Sequence, residues 1–466
     1  MALLFADLHL HSKYSRAVSP NMDLKHISEG ARKKGLQIMG TGDFTHPKWL
    51  SELKSELVEK EGNPGMFALK NKSSYGSSSS ERLSYGSTSF GSSSDVSFML
   101  QAEVSTFFSD PIKGLKKVHH ILFAPSFDAV DKLNERLGKM GNLSADGRPM
   151  FGKCSCAHLV EICKEADSRI QIVPAHIWTP WFSVFGSNSG YDSIEEAYEE
   201  QAKHIFALET GMSSDPAMNW RISKLDKYAL LSNSDSHSFY SFRLGRECNA
   251  FEFDEKELNY DAVFDAIRKK DKEHFKFTLE VDPAYGKYHV DGHRNCKFSC
   301  SPSEAIKLKN ICPVCKRPLT LGVEHRVEQL ADREMGFVPE GAIPFKKLLP
   351  LQELVAACFS SGLSAKGTYL ETEKLISRFG SELNVLLNVP EDELKKETNE
   401  KIASAVSLNR EGKLFVKPGF DGEYGILQLT PEMTIGGKAG ESGSGKIESN
   451  VIGKKEVKSQ KSLGDY

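Results

Sequence analysis

The chain has 466 residues, 39% hydrophobic and 26% charged, with 60 basic and 63 acidic side chains and a net charge of −3. That length is enough for two to four domains at roughly 150 residues each, and the balanced charge excludes a chain-wide basic sleeve for nucleic acid. No apolar run reaches the ~20 residues of a membrane span, and the N-terminus lacks a basic region followed by a long apolar one. A soluble cytoplasmic protein with no membrane partner is expected. The nine cysteines are odd in number and mostly clustered, which favours metal binding over disulfides.

The first strand is predicted at "LLFADLHLH". Alternate side chains of a strand share a face, so His9 and His11 converge while Leu8 and Leu10 pack on the other side. Next come a helix through "NMDLKHISEGARKKG" and a strand at "LQIMGTGDF", carrying Asp43 and His46 just beyond its end. Residues 71–95 are so rich in Ser and Gly that a mobile insert is expected there. Further strands end in Glu103 ("QAEVS"), His119 and His120 ("KVHHIL"), His176 ("VPAHIW"), and Asp235 with His237 ("SNSDSH"), and "HIFALETG" is also read as a strand. Strands alternating with helices predict an α/β domain with a largely parallel sheet, whose chemistry lies at the C-terminal strand ends.

So many imidazoles and carboxylates at one edge exceed the needs of a single tetrahedral ion and suit zinc or manganese, two or three ions together. Closely spaced ions share a bridging water and clamp the oxygens of a phosphoester, so phosphoester hydrolysis is the expected chemistry.

The series "DLHLHS", "GTGDFTH", "AEVS", "VHHIL", "PAH" and "DSH" resembles the successive motifs of the PHP (polymerase and histidinol phosphatase) family over about the first 250 residues. The resemblance implies a distorted (β/α)7 barrel with a metal cluster at its strand ends. It implies as ligands His9, His11, Glu103, His120, His176, Asp235 and His237, with Asp43 or His46 completing the set. Adjacent strand residues face opposite ways, so only one of His119 and His120 can reach the ions, and His120 is preferred. Where the family often has a further ligand this chain has Arg16, which sets a cation against a substrate phosphate. His158, His204, His274, His289, His293 and His325 fit no such pattern and are read as ordinary polar residues.

Beyond about residue 285 the cysteines Cys296, Cys300, Cys312 and Cys315 are spaced C-x3-C-x11-C-x2-C, four thiolates in two knuckle-like pairs. This predicts a closed structural zinc site whose ion supplies much of the folding free energy of a small module. Lys297, Lys307, Lys309, Lys316, Arg317, Arg326 and Arg333 are candidate phosphate contacts, and a solvated surface accounts for them almost as well. From about residue 346 the pattern turns helical, and "EKLISRFGSELNVLLNVPEDELKK" resembles the helix-hairpin-helix-like domains that grip DNA backbones. The expected division is a catalytic domain over 1–285, a four-cysteine zinc module over 286–345, a helical DNA-binding domain over 346–430 and a disordered tail over 431–466.

That combination resembles the endonuclease Q family of PHP-type DNA repair enzymes. The resemblance implies nicking 5′ to deaminated bases (uracil, hypoxanthine, xanthine) and abasic sites, with zinc, manganese or magnesium as cofactor, DNA as partner and nucleoid association. Reading a damaged base implies flipping it into a pocket. Trp178, Trp181 and Phe182 are candidate walls with Ser187 and Asn188 as polar contacts, set against the simpler reading that these aromatics cap the barrel. At the C-terminus Gln460, Leu463 and Tyr466 match the spacing of sliding-clamp-binding peptides. The competing readings are another PHP phosphoesterase or RNA nuclease, and a non-catalytic DNA-binding module.

Overall fold

A computed structural model describes residues 1–70, 96–111 and 114–428. The Ser-rich insert and the expected tail, including Gln460, Leu463 and Tyr466, lie outside the described residues. Among the described residues seventeen strands run in order: β1 (Ala2–Asp7), β2 (Ile38–Gly40), β3 (Leu57–Glu59), β4 (Phe67–Leu69), β5 (Ser97–Asp110), β6 (Gly114–Ala124), β7 (Met150–Gly152), β8 (Gln171–Pro174), β9 (Ala207–Glu209), β10 (Ala229–Leu231), β11 (Cys248–Phe253), β12 (Phe275–Glu280), β13 (Asp291–His293), β14 (Phe298–Cys300), β15 (Phe345–Lys347), β16 (Phe415–Lys417) and β17 (Ile426–Gln428).

The main sheet follows the order β15-β12-β11-β1-β2-β5-β4-β3, with β6 and β7 branching from β5 and β8 from β6. It is mixed rather than largely parallel. The pairs β1–β2, β2–β5 and β12–β15 are parallel, whereas β5–β6, β6–β8, β1–β11 and β11–β12 are antiparallel. Only three residues separate β5 from β6, too few for the crossover that parallel neighbours need.

Backbone bonds continue past the strands and link seven strand ends in a ring. Ala175 N–H donates to His119 O (3.0 Å), Ile177 N–H to Glu209 O (3.0 Å) and Thr210 N–H to Leu231 O (2.9 Å). His11 N–H donates to Ser236 O (3.1 Å), and Thr41 N–H to Met99 O (3.0 Å). The ends of β1, β2, β5, β6, β8, β9 and β10 therefore converge, which gathers residues from His9 to Asp235 at one place. Asp7 secures the closure, its buried carboxylate accepting from Ser234 N–H (3.0 Å), Ser234 Oγ–H (2.5 Å) and Gly245 N–H (2.8 Å).

Helices pack outside the ring. Helix Leu24–Lys34 starts on the Asp23 cap, whose side chain accepts from His26 N–H, and stops at Gly35, where φ is 99°. Its last residue reaches the helical segment through a buried ion pair, Lys34 Nζ to Glu382 Oε1 at 2.7 Å, and the same oxygen accepts from Leu351 N–H (3.1 Å). The β16–β17 hairpin then returns to the start of the cysteine segment, where His289 N–H donates to Gly419 O and Gly425 N–H to Tyr285 O. The described residues thus cohere as one packing unit. Among the described residues no helix is long and apolar enough to cross a membrane.

Candidate active site and metal centres

The ring of strand ends assembles two ligand groups that share one carboxylate. Ligating atoms of His9, His11, Glu103 and Asp235 lie within 4.8 Å of one another, as do those of Glu103, His119 and His176. Glu103 is fully buried. Its Oε2 lies 3.2 Å from His11 Nε2 and 3.7 Å from His9 Nε2, while its Oε1 lies 2.8 Å from His119 Nδ1 and 3.1 Å from His176 Nε2. Asp235 Oδ1 is 3.1 Å from His11 Nε2 and 3.7 Å from His9 Nε2.

Outer partners fix the two imidazoles of the opening motif. His9 Nδ1 meets both oxygens of Glu209 (3.0 and 3.1 Å), which holds its proton there and turns the Nε2 lone pair inward. Glu209 is itself held by His176 N–H (2.8 Å) and Asn233 Nδ2 (2.9 Å). His11 Nδ1 meets Asp43 Oδ1 at 3.0 Å, and Asp43 accepts through its other oxygen from Ser12 N–H, Ser12 Oγ–H and Ser15 Oγ–H at 2.6–2.8 Å. Three residues of the site, Asp43, His176 and Asp235, have positive φ (41°, 29° and 47°), backbone strain of the kind that concentrates at functional sites.

These residues fit metal ions. His9 Nε2 is buried with no hydrogen-bond partner and faces two carboxylates at 3.7 Å. An unsatisfied acceptor in that position is what a cation between the three would occupy, and the imidazole and carboxylate donors suit zinc or manganese. Against their burial, the clustered carboxylates raise His9, His11 and His176. Burial opposes ionisation of Glu103, yet His119, Arg148 and His11 hold its carboxyl well below the usual range. Asp235 is likewise held low against its burial by His9, His11 and His237. Burial brings His119 down to about 4, so its imidazole is neutral, as a ligand must be.

Of the expected residues, His9, His11, Glu103, His176 and Asp235 come together, and the remainder need correction. His119, not His120, faces the cluster: β5 pairs with β6 so that Glu103 opposes Ile121 and Ser105 opposes His119, which puts Glu103 and His119 on one face. His120 points the other way, buried between Tyr198 Oη and Thr106 Oγ1 (2.9 Å each) and pushed down to about 3 by burial. Asp43 stands one step out, behind His11. His46 stacks on Tyr14 (4.5 Å) and starts helix Pro47–Glu56. His237 lies at the rim, its ring 4.7 Å from His11 and its Nδ1 donating to Asp235 O (3.0 Å).

The expected cation Arg16 is a surface residue, its side chain 69% exposed beside Asp146. The cation that enters the site is Arg148, whose Nη1 is 3.1 Å from Glu103 Oε2. Its loop is pressed against the carboxylate behind His11: a Cβ on Gly147 would lie 2.3 Å from Asp43 Oδ2. Trp178 is not a pocket wall either. It is buried, donates to Asn219 Oδ1 (2.8 Å) and packs on Phe185. Trp181, Ser187 and Asn188 are exposed, and Phe182 sits against His119 with ring centroids 4.7 Å apart.

In the cysteine segment the atoms that come within 4.8 Å belong to His293, Cys296, Cys312 and Cys315. Cys300 stands one pleat along β14, opposite Asp291, and packs with Cys312 in the small core around Ala305 and Leu319. His293 thus joins three of the four expected cysteines in this group, with Cys300 packed in the same cluster. Arg326 and Arg333 are structural: Arg326 ion-pairs with Asp192 and donates to Phe185 O (3.2 Å) and Tyr191 O (3.1 Å), while Arg333 grips Asp226 at 2.8 and 2.6 Å.

Comparison with known proteins places this geometry. The lesion-specific endonuclease Q of Pyrococcus furiosus superposes with a TM-score of 0.77 and 31% identity, over 94% of this chain and 97% of that one. The chain belongs to the endonuclease Q family. A second endonuclease Q structure, in complex with a 27-mer duplex substrate with an abasic lesion at the active site, matches with a TM-score of 0.76 and 31% identity over 92% of this chain and 97% of that one. Residues 350–413, the helical segment of this endonuclease Q family member, match the family model described as the MJ0043 C-terminal domain. The Methanocaldococcus jannaschii protein MJ0043 is 35% identical over 260 residues, 55% of this chain, which spans about a third (32%) of that longer protein.

Proposed function

We propose that this chain is a metal-dependent DNA endonuclease that hydrolyses the phosphodiester 5′ to deaminated bases (uracil, hypoxanthine, xanthine) and abasic sites. The observation that carries the reading is the pair of ligand groups joined at Glu103, in a chain that follows the endonuclease Q fold over nearly its whole length. The ring of seven strand ends supports the distorted-barrel reading of the catalytic part. The helical segment over 346–428 serves as a DNA-gripping domain, and the His293–Cys315 group binds zinc.

His9, His11, Glu103 and Asp235 would hold one divalent ion, and Glu103, His119 and His176 a second. When bound, zinc, manganese or magnesium supplies an activated water and neutralises charge on the phosphoryl oxygens. The protein's own groups do the rest. Glu209 and Asp43 keep the Nδ1 protons of His9 and His11 on the outer side, so that both Nε2 atoms face inward. Arg148 presents a fixed guanidinium where negative charge develops. His237, with its proton committed to Asp235 O through Nδ1, offers Nε2 at the partly exposed rim as a proton acceptor. Trp181, Phe182, Ser187 and Asn188, in the segment that follows His176, would contact the displaced base. Gln460, Leu463 and Tyr466 would recruit a sliding clamp.

The test is to incubate the protein and each metal with end-labelled duplexes carrying uracil, hypoxanthine, an abasic site or no lesion. Cleavage at the phosphate 5′ to the lesion is expected. Equal cutting of undamaged DNA, or cutting of RNA alone, would overturn the reading.

A further inference from the structure

Leaving the site along the chain, the loop after His237 reads "SFYSFRLG" and carries aromatic surface that the core does not take up. Tyr240 is 49% exposed. Its ring stacks on Phe242 with centroids 5.5 Å apart and planes at 14°, and lies 4.7 Å from Phe239. The Arg243 guanidinium sits over Phe242 at 5.3 Å. This is one cation beside a run of three rings, Phe239 and Phe242 half-buried and Tyr240 exposed. Water-facing aromatic surface is unfavourable on folding, and a contiguous exposed patch marks a contact site.

The loop is also held rigidly, which a mere surface excursion does not require. Ser19 N–H donates to His237 O (2.9 Å), and Arg243 N–H and Leu244 N–H both donate to Tyr240 O (2.8 and 2.9 Å). Gly245 N–H is fixed on Asp7 and Arg246 Nη2 on Ser234 O (2.9 Å). On the inner side Phe239 packs on His26 (5.0 Å), and its backbone passes so close to helix Leu24–Lys34 that a Cβ on Gly30 would lie 2.1 Å from Phe239 O. Tyr240 is therefore preorganised. Three residues from His237 at the rim of the ligand groups, its Cα lies within about 11 Å of that residue's.

We propose that Tyr240, backed by Phe239 and Phe242, is a stacking platform for an unpaired base of the DNA beside the scissile phosphate, with Arg243 taking the neighbouring backbone charge. The inference rests on the DNA-nicking reading above and adds a residue to it. A flat aromatic face stacks on any base regardless of sequence, and a base adjoining a flipped or missing nucleotide has lost its stacking neighbour. A rigid platform supplies the replacement without the cost of loop ordering.

The experiment compares wild type, Tyr240→Ala, Tyr240→Leu and Tyr240→Trp on an abasic duplex with 2-aminopurine next to the lesion, reading steady-state kinetics and, with calcium in place of the catalytic metal, fluorescence on binding. Tyr240→Ala and Tyr240→Leu should raise KM about tenfold with kcat within about twofold, as expected when stacking is equal in ground and transition states. Both should weaken the 2-aminopurine quench, and Tyr240→Trp should restore KM and quench. Unchanged KM and quench in Tyr240→Ala would overturn the proposal, as would a fall in kcat and thermal stability that Tyr240→Trp does not rescue, since that is a packing role. If wild type binds with quench but does not nick, the nicking reading fails while the platform stands. If it neither binds nor nicks, both fail.

Discussion

The two candidate metal regions are built on opposite principles. The cysteine group draws its four ligands from a short stretch, His293 to Cys315, on a module with a core of a few side chains. The catalytic groups draw theirs from strand ends between His9 and Asp235, all but Asp235 buried. In the first a bound ion would substitute for a core and hold the module closed. In the second the ligands stand on a ring of hydrogen-bonded strand ends backed by a large core, with one of their buried nitrogens, His9 Nε2, left without a hydrogen-bond partner. Changes in the catalytic region should therefore cost chemistry with little loss of fold, and changes in the cysteine region should cost folding first.

Outside the ligands themselves, the largest effect expected is from Arg148→Ala. Losing a fixed cation at the reacting charge should lower kcat by about 10²–10³ while the thermal transition stays near that of wild type. A large drop in stability would make Arg148 a structural residue and remove the contrast. Glu209→Gln should weaken metal binding at the catalytic groups by about 10–100-fold, with zinc in the cysteine module unaffected, as measured by metal content after graded chelation. In the module, His293→Ala should lose zinc and become protease-sensitive between residues 286 and 345, whereas Cys300→Ser should retain its zinc. The reverse pattern would restore a four-cysteine site.

The smallest effect concerns a buried carboxyl whose hydrogen-bond partners are hydroxyls, the neighbouring Lys347 ammonium being turned to Asp215 and Asp282. Burial pushes Glu280 up to about 8 from its ordinary 4.5, against hydroxyl donors from Thr278, Ser232 and Thr210. The folded state holds this proton more tightly than the unfolded chain. The contribution is therefore complete below pH 4.5 and is lost as pH rises through about 8. Glu280→Gln should flatten the fall in stability over that window, measured as thermal midpoints at successive pH values. An unchanged slope would assign it to other groups.

Much of the candidate site is legible in the sequence because strand-end motifs carry it. His9, His11, Glu103, His176 and Asp235 are each readable from an apolar run that stops at an ionisable residue. The choice between His119 and His120 needs the hairpin register. Asp110 opposes Gly114, so odd positions meet odd ones along the pair and His119 must share the face of Glu103. Glu209 carries the same strand-end signal in "ALETG", and two residues separate His293 from Cys296, matching the Cys312–Cys315 spacing. Arg148 has no such signal. It lies on an aperiodic loop brought to the site by packing alone. Trp178 misleads for a related reason, since an aromatic after a ligand reads the same whether it faces the cleft or Asn219.

The most direct measurement is single-turnover nicking of an abasic duplex by metal-depleted protein reconstituted with each ion, beside Asp235→Asn. The account predicts cleavage only 5′ to the lesion, only with metal, and lost in Asp235→Asn while DNA binding persists. Cleavage that survives metal depletion, or that Asp235→Asn leaves intact, would contradict it.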